Sequence, residues 1–300
     1  MKKTFTGNLF ALILILLMIF YKFFLSTFVT QLPISPFIVS IFISIVIYFL
    51  PISAYFFTSK SSVADTFSIK KLYPINVFLV VLISIVIQPL LMLISTLSAI
   101  VFPNNVSDVF EIYATYPLWF VILSIAIVPA ICEELFFRGI VFSNYRNVSF
   151  FKASIACGFI FGMAHMDGQQ FFYAFFMGIV FCYLVYKTGS IFASIISHFT
   201  INCSQSLLAY YIYNSNKNAL ADMQTQVTPD TLIAAMQSAL FTLPLLILVF
   251  YIFHRYNDKH LLLETEVALD FTDLGNNEKI INAPLVITFV VFIYILYISI

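Results

Sequence analysis

The sequence predicts an all-α, polytopic transmembrane helix bundle of about eight or nine spans. Hydrophobic residues make up 62% of the 300 positions and charged residues only 9%, whereas soluble domains carry about 25% charged residues. Long apolar runs recur along the chain, and about 20 apolar residues suffice for a helix to cross a bilayer core of about 30 Å. The lipid bilayer is therefore the expected surrounding, and a soluble domain is excluded.

Nine apolar segments are the predicted spans, in the order 8–29, 36–57, 75–102, 116–138, 153–166, 169–187, 190–212, 232–253 and 282–300. The first follows Lys2 and Lys3, but its apolar run is too long for a signal peptide, so we expect a retained span. The fourth is expected to continue as a protruding helix to about Arg146. The fifth is short, which is typical of a tilted, broken or re-entrant helix buried among its neighbours.

The connecting segments predict a single integral membrane domain over residues 1–300. Segments 103–114 and 213–230 are rich in Asn, Ser, Asp and Pro, as solvated loops are. Segment 254–282 is the longest polar stretch and is predicted to be a cytoplasmic linker before the last span. No internal repeat or low-complexity tract indicates a second domain.

Lysine and arginine predict the orientation, because they favour the cytoplasmic side of a membrane. With a cytoplasmic N-terminus, the outer loops keep only Lys217, and Lys22 lies within the first span. The other twelve fall on inner segments: Lys2, Lys3, Lys60, Lys70, Lys71, Arg138, Arg146, Lys152, Lys187, Arg255, Lys259 and Lys279. A multi-pass protein of a cell membrane, of bacterial type, is expected. The net charge of zero gives no indication of a nucleic-acid partner.

A small set of polar residues in the central spans supplies the candidate functional groups. An ionised side chain well inside a bilayer costs on the order of 2.5–3.5 kcal/mol, so such residues are functional candidates. Side chains four residues apart share a helix face, which predicts an ion pair between Glu134 and Arg138. The full set is Glu133, Glu134, Arg138, His165, His198 and Asn202, and Phe161 shares a helix face with His165.

Counting about 1.5 Å per helical residue places these groups at compatible depths in the cytoplasmic half of the membrane. Amide hydrolysis needs such a set: Glu133 and His165 to deprotonate a water, with His198 and Asn202 to stabilise the oxyanion. The alternative is a zinc ion held by Glu133, His165 and His198 with an open water position. The absence of a His-Glu-x-x-His helix weakens the zinc alternative.

At these residues the sequence resembles the CAAX-processing and bacteriocin-immunity (Abi) family of intramembrane proteases, which includes the type II CAAX prenyl endopeptidases. Three motifs carry the resemblance, within a core at about 116–212. They are Glu133-Glu134-Leu-Phe-Phe-Arg138, Phe161-Gly-Met-Ala-His165 and His198-Phe-Thr-Ile-Asn202. The resemblance implies an all-helical membrane peptidase with a site open to the cytosolic side. It implies that Glu133 and His165 activate water, that His198 and Asn202 form the oxyanion hole, and that Glu134, Arg138 and Phe161 orient the site.

The resemblance further implies an endopeptidase for a membrane-associated or amphipathic peptide or protein, in peptide maturation, signalling or bacteriocin self-immunity. A prenylated substrate is not implied. The family has been described both as glutamate-type and as metal-dependent, and the metal-free version without a cofactor is favoured here. Two other classes are open: a non-catalytic scaffold or regulator of a partner membrane protein, and a proton-coupled transporter, although the paired repeats of transporters are not visible.

Overall fold

The computed structural model is an all-α bundle, as the composition predicts, and its described residues contain no strand. It describes residues 2–29, 31, 34–102, 115–215, 227–261 and 278–299. Most of the predicted loops at 103–114 and 213–230, and much of the linker at 254–282, lie outside the described residues.

Ten helical segments follow one another along the described chain. They are α1 (Lys3–Val29), α2 (Pro36–Ser59), α3 (Val63–Phe67), α4 (Pro74–Ala99), α5 (Leu118–Tyr145), α6 (Phe150–Ala164), α7 (Gly168–Thr188), α8 (Ile191–Ser215), α9 (Pro229–Leu261) and α10 (Ala283–Ser299). Each predicted span coincides with one of these helices. The short α3 lies between predicted spans, and α9 continues eight residues past the predicted boundary at 253.

Six of the described helices are long and apolar enough to cross a membrane, namely α1, α2, α4, α5, α7 and α9. The apolar helices α6 and α10 are shorter, with 15 and 17 residues. The 25-residue α8 is long enough but carries many Ser, Thr, Asn and Gln residues. Large apolar side chains such as Phe57 (91% exposed) and Phe241 (87% exposed) cover the outside of the bundle. This arrangement is that of a multi-pass membrane protein, in which lipid solvates the outer surface.

Glycines bring α6 and α7 into close contact. A Cβ atom on Gly178 would lie 2.6 Å from the Cα of Gly158, and one on Gly162 would lie 2.8 Å from the carbonyl oxygen of Phe171. Gly158 and Gly162 are four apart, the spacing by which small residues let membrane helices approach each other. This contact holds the end of α6, with His165, against the first half of α7.

Polar pairs between helices fix α8 and α9 against α4. The hydroxyl groups of Ser84 and Ser197 are 2.7 Å apart and buried, and Ser197 directly precedes His198. Asn76 and Asn257 exchange two amide hydrogen bonds of 2.9 and 3.0 Å. Interhelical hydrogen bonds of this kind contribute about 0.6 kcal/mol each on average in a membrane protein. The Ser84–Ser197 bond positions α8, the helix that carries His198 and Asn202.

One end of the bundle, here called the N-terminal face, gathers the ends of eight helical segments. Hydrogen bonds there join the helix ends in pairs. Thr4–Glu278 joins the start of α1 to the start of α10, and Arg146–Asp65 joins the end of α5 to α3. Ser190–Lys70 joins the turn between α7 and α8 to the segment before α4, and Lys187–Asp258 joins the end of α7 to α9. The turn between α6 and α7 lies toward the other end, here called the opposite face, because Gln169 bonds Ser95 near the end of α4. Apart from Arg138, which is buried within the bundle, the lysine and arginine residues predicted to share one side of the membrane lie near this face wherever they are described.

Glu278 is a hydrogen-bonded carboxylate at the N-terminal face. Its Oε2 accepts from the backbone N–H and the hydroxyl of Thr4, and its Oε1 accepts from Asn147. Burial acts to raise the pKa of Glu278, but these hydrogen bonds outweigh it and hold the pKa below the ordinary value of 4.5. The ionised form of Glu278 therefore connects α1, the turn after α5 and the start of α10.

Candidate active site

A buried ion pair forms the floor of the site. Glu134 is fully buried and Arg138 is 2% exposed; the guanidinium Nη1 donates to Glu134 Oε1 at 3.0 Å. The predicted pair one helical turn apart is therefore present. Nδ1 of His198, on α8, lies 2.9 Å from the same carboxylate oxygen. One oxygen atom thus joins α5 to α8.

The guanidinium of Arg138 is enclosed by aromatic rings. Its Cζ lies 4.5 Å from the ring centre of Phe161 and 4.9 Å from that of Phe181, distances at which a cation is attracted to a ring face. Its Nη2 donates to the carbonyl of Gly178 at 3.3 Å. The ring of Phe181 also stacks on His198, with centres 5.2 Å apart. The predicted orienting residue Phe161 therefore acts by packing against Arg138.

His165 lies at the C-terminal end of α6 and is half-buried. Its Nδ1 is 2.9 Å from the carbonyl oxygen of Phe161. Since a carbonyl only accepts, Nδ1 is the donor, and in the neutral ring Nε2 is the acceptor nitrogen. The next residue, Met166, has a left-handed backbone with φ of 49°, and Asp167 then caps α7 by accepting from Gln170 N–H. This tight turn presents the imidazole at the opposite-face end of α6.

Asn202 is anchored to an irregular part of α5. Its Nδ2 donates to the carbonyl of Ile125 at 3.0 Å, within the π-helical stretch Ile122–Ile127. Pro129 lies four residues after Ile125 and has no N–H, so the usual α-helical bond to that carbonyl cannot form. The amide of Asn202 supplies a donor in its place. Its second N–H remains available, because an amide nitrogen carries two hydrogens.

Glu133 is half-buried and points away from the ion pair. It lines a cavity of about 650 Å³ together with His165, His198 and Asn202, so all four predicted catalytic side chains meet there. A second cavity of about 480 Å³, between α1, α2 and the end of α6, also contains Glu133 and His165. The two cavities share Lys22 as well. The neighbouring glutamates therefore have different surroundings, one in the ion pair and one at a cavity surface.

The comparisons with known proteins cover this part of the chain. Residues 115–204 match the family described as "Type II CAAX prenyl endopeptidase Rce1-like". The matched residues 115–204 are here called the Rce1-like core. Over 100 residues the chain is 31% identical to the protein named "Putative membrane peptidase YdiL" from Bacillus subtilis (strain 168); the alignment covers 33% of this chain and 40% of that protein. No solved structure matches the chain.

The Rce1-like core contains every residue that the sequence pattern singled out, from Glu133 to Asn202. Other cavity-lining residues were not predicted, among them Lys22, which comes from α1, outside the core. Within the core, Tyr173 packs edge-on against His165 with ring centres 6.4 Å apart, and its hydroxyl donates to Gln170. Gln170 and Tyr173 are three residues apart on α7 and therefore share a face, but only the turn between α6 and α7 shows that this face meets His165.

A metal site needs several side chains of His, Cys, Asp or Glu to converge on one point. Within the described ranges, no three such side chains form a group that could hold a metal ion. Glu133, His165 and His198 line one cavity without forming such a group, so the zinc alternative does not fit their arrangement.

Proposed function

We propose that the Rce1-like core is a membrane endopeptidase that hydrolyses a peptide bond in a membrane-associated or amphipathic peptide or protein. The observation that carries the proposal is the convergence of Glu133, His165, His198 and Asn202 on one cavity of about 650 Å³. Ligand sites in proteins are mostly apolar cavities of about 300–1,000 Å³ with a few convergent polar groups. The match to the Rce1-like family and the similarity to a named membrane peptidase support the same reaction class.

Water activation is assigned to Glu133 and His165. The Glu133 carboxylate and the Nε2 acceptor of His165 both face the cavity, so a water between them can lose a proton as its oxygen attacks the substrate carbonyl carbon. The C–N bond then breaks, and the same proton is returned to the departing amine nitrogen. The protein supplies no nucleophile of its own, and the products are a carboxylic acid and an amine.

Oxyanion stabilisation is assigned to His198 and Asn202. The free N–H of the Asn202 amide is a neutral donor held in place by the bond to Ile125. For His198 to donate from Nε2, the ring must carry both protons, since Nδ1 already donates to Glu134. Fixed donors of this kind stabilise the negative charge that develops on the carbonyl oxygen.

Glu134 and Arg138 are assigned a positioning role. Their opposite charges compensate each other in a buried position, and the Glu134 carboxylate holds the His198 ring by accepting a hydrogen bond from Nδ1. The proposal uses no cofactor. We further propose a cell membrane of bacterial type, with the N-terminal face toward the cytoplasm. The clustering of most described lysine and arginine residues on that face supports this orientation.

Purified protein in detergent and in liposomes tests the proposal against a library of membrane-tethered and amphipathic peptides. We expect cleavage by the wild-type chain and loss of cleavage in Glu133→Gln and His165→Ala, with no effect of a zinc chelator. His254→Gln is the matched control, because this histidine pairs with Tyr183 and Asp258 on the other side of α7. Chelator-sensitive cleavage would assign a metal to the site. Cleavage that persists in Glu133→Gln would refute the catalytic role of this residue. If the wild-type chain cleaves no peptide, the peptidase proposal fails and a scaffold function replaces it.

A further inference from the structure

A groove of about 860 Å³ lies between α6 and α10, and none of the four catalytic candidates lines it. Phe151, Ile155 and Phe159 form its wall on α6, and Leu285 and Phe289 form its wall on α10. The wall on α6 is about 12 Å long, from Phe151 to Phe159 at 1.5 Å per residue. The rings of Phe159 and Phe289 have centres 5.9 Å apart, so the two helices meet at this end of the groove. Since Phe151, Ile155 and Phe289 are exposed, the groove opens to the outer surface of the bundle.

Two lysines lie at the other end of this groove. Lys152 is in the first turn of α6, and Lys279 precedes the start of α10. Both are exposed, and neither forms an ion pair with another described residue. The backbone carbonyl of Lys279 accepts from the Thr4 hydroxyl at 3.2 Å, which fixes this segment at the N-terminal face. The groove is therefore cationic at the N-terminal face and apolar toward the middle of the bundle.

One acidic residue, Glu278, also lines the cationic end. Its carboxylate oxygens accept hydrogen bonds from Thr4 and Asn147, so its charge is directed toward those donors. Two lysines against one carboxylate leave this end with a net positive charge. The first turn of α6 adds to it, because the N-terminal end of a helix dipole favours an anion. An anionic group is therefore expected at this end of the groove.

A phospholipid has the same division, with a phosphate at the membrane surface and apolar chains beneath it. Basic pockets between membrane helices bind anionic headgroups in this way. We propose that the groove between α6 and α10 binds an anionic phospholipid, with its phosphate at Lys152 and Lys279 and an acyl chain along the apolar walls. The lipid connects α6, whose end carries His165, to α10. This site goes beyond the proposed peptidase function, because it needs neither cleavage nor a particular orientation of the chain in the membrane.

Native mass spectrometry of the purified chain in detergent measures lipid binding directly. Phosphatidylglycerol is compared with phosphatidylcholine of the same chain length, because only the first has a net negative charge. Each lysine near an anionic lipid raises the affinity about five-fold, so we expect phosphatidylglycerol to bind about 25-fold more tightly. The variant Lys152→Gln with Lys279→Gln is expected to lose this preference. Equal affinities of the wild-type chain for the two lipids would overturn the proposal.

Lys2→Gln with Lys71→Gln is the matched control. Both lysines are exposed near the N-terminal face and lie outside the groove, and this variant loses the same two charges. It is expected to keep the preference for phosphatidylglycerol. An equal loss of preference in the two double variants would show a general attraction between this face and anionic lipids, and the groove would not be the site.

Ile155→Trp tests the apolar walls. Ile155 is 36% exposed and lines the groove, so a larger side chain there fills the groove without entering the core. With both lysines present, we expect the affinity for phosphatidylglycerol to fall about ten-fold, which corresponds to about two buried methylene groups. Glycerol phosphate, which lacks acyl chains, is expected not to displace the lipid. Unchanged binding in Ile155→Trp, or displacement by glycerol phosphate, would assign an anion site without a lipid chain and overturn the proposal.

A photo-crosslinker in native membranes identifies the occupant of the groove. Phe289 is replaced with p-benzoylphenylalanine, which reacts with C–H bonds of the molecule that lies beside it. A covalent phospholipid adduct is expected. A crosslink to the chain's own segment before Glu278, or to a second copy of the chain, would overturn the proposal. None of these outcomes depends on peptide cleavage, so the peptidase proposal stands or fails separately.

Discussion

Replacing Glu134 with glutamine removes the charge of a buried carboxylate while nearly keeping its shape. At 3.0 Å from Arg138, the ion pair is worth about 5 kcal/mol by Coulomb's law with an effective dielectric constant of about 20. Glutamine still accepts one hydrogen bond, which returns about 1 kcal/mol. The guanidinium would remain buried without a counter-charge, and breaking such a pair costs about 3–5 kcal/mol. We expect Glu134→Gln to lower the free energy of unfolding by about 3–4 kcal/mol.

The adjacent Glu133→Gln variant is the matched control. Glu133 is half-buried at the cavity surface and makes no ion pair with another described residue, and glutamine keeps an acceptor for the buried Tyr48 hydroxyl beside it. The stability change of Glu133→Gln should therefore stay below about 1 kcal/mol. Unfolding is measured by titration with a denaturing detergent in mixed micelles, alongside peptide cleavage. Glu133→Gln is expected to abolish cleavage and keep stability. A loss below about 1 kcal/mol in Glu134→Gln, or an equal loss in both variants, would refute the assignment of Glu134 to the structural pair.

Three further variants test other parts of the structure. Gly178→Ala introduces a Cβ against Gly158, and the overpacking is expected to cost about 1–3 kcal/mol in the same unfolding titration. Asn202→Leu removes the donor to the irregular part of α5 and is expected to cost about 1–3 kcal/mol and reduce kcat; unchanged cleavage would contradict the oxyanion assignment. Glu278→Gln tests pH dependence: because the pKa of Glu278 is lowered on folding, its ionised form stabilises the fold above pH 4.5, and this contribution disappears as the pH falls through the lowered pKa. Thermal unfolding of the wild type from pH 7 downward should therefore show an extra loss that is missing in Glu278→Gln.

The helix bundle and the pairings within single helices were predictable from the sequence because they depend on local spacing. Apolar runs located the spans, and a four-residue separation correctly placed Glu134 beside Arg138. The same spacing put His165 on the face of Phe161. Helix boundaries were less accurate, since the eighth span was predicted to end at 253, whereas α9 ends at Leu261. The continuation of the fourth helix to about Arg146 is confirmed to within one residue, because α5 ends at Tyr145.

Contacts between helices were not predictable, because they depend on how helices cross. Glu134 and His198 are 64 residues apart, and no spacing rule relates them. The bond from Asn202 to Ile125 requires both the missing N–H of Pro129 and the crossing of α5 and α8. The Gly158 and Gly162 spacing was visible in the sequence and indicates a close helix contact, but the partner surface on α7 is known only from the fold. The assigned roles of the site residues stay predictions.

The large side chains in the second half of α5 are fully buried, and this dense packing affects how well the membrane insulates the cell electrically. A hydrolytic site inside a bilayer must admit water, and a hydrated passage with ionisable groups would let protons cross wherever it was continuous. Moving one elementary charge through the membrane potential releases about 2.3 kcal/mol per 100 mV, so even a narrow leak would dissipate stored energy. The buried side chains from Phe136 to Tyr145 interrupt such a passage toward the N-terminal face. The polar groups of the cavity can thus be hydrated from one face while the membrane stays sealed.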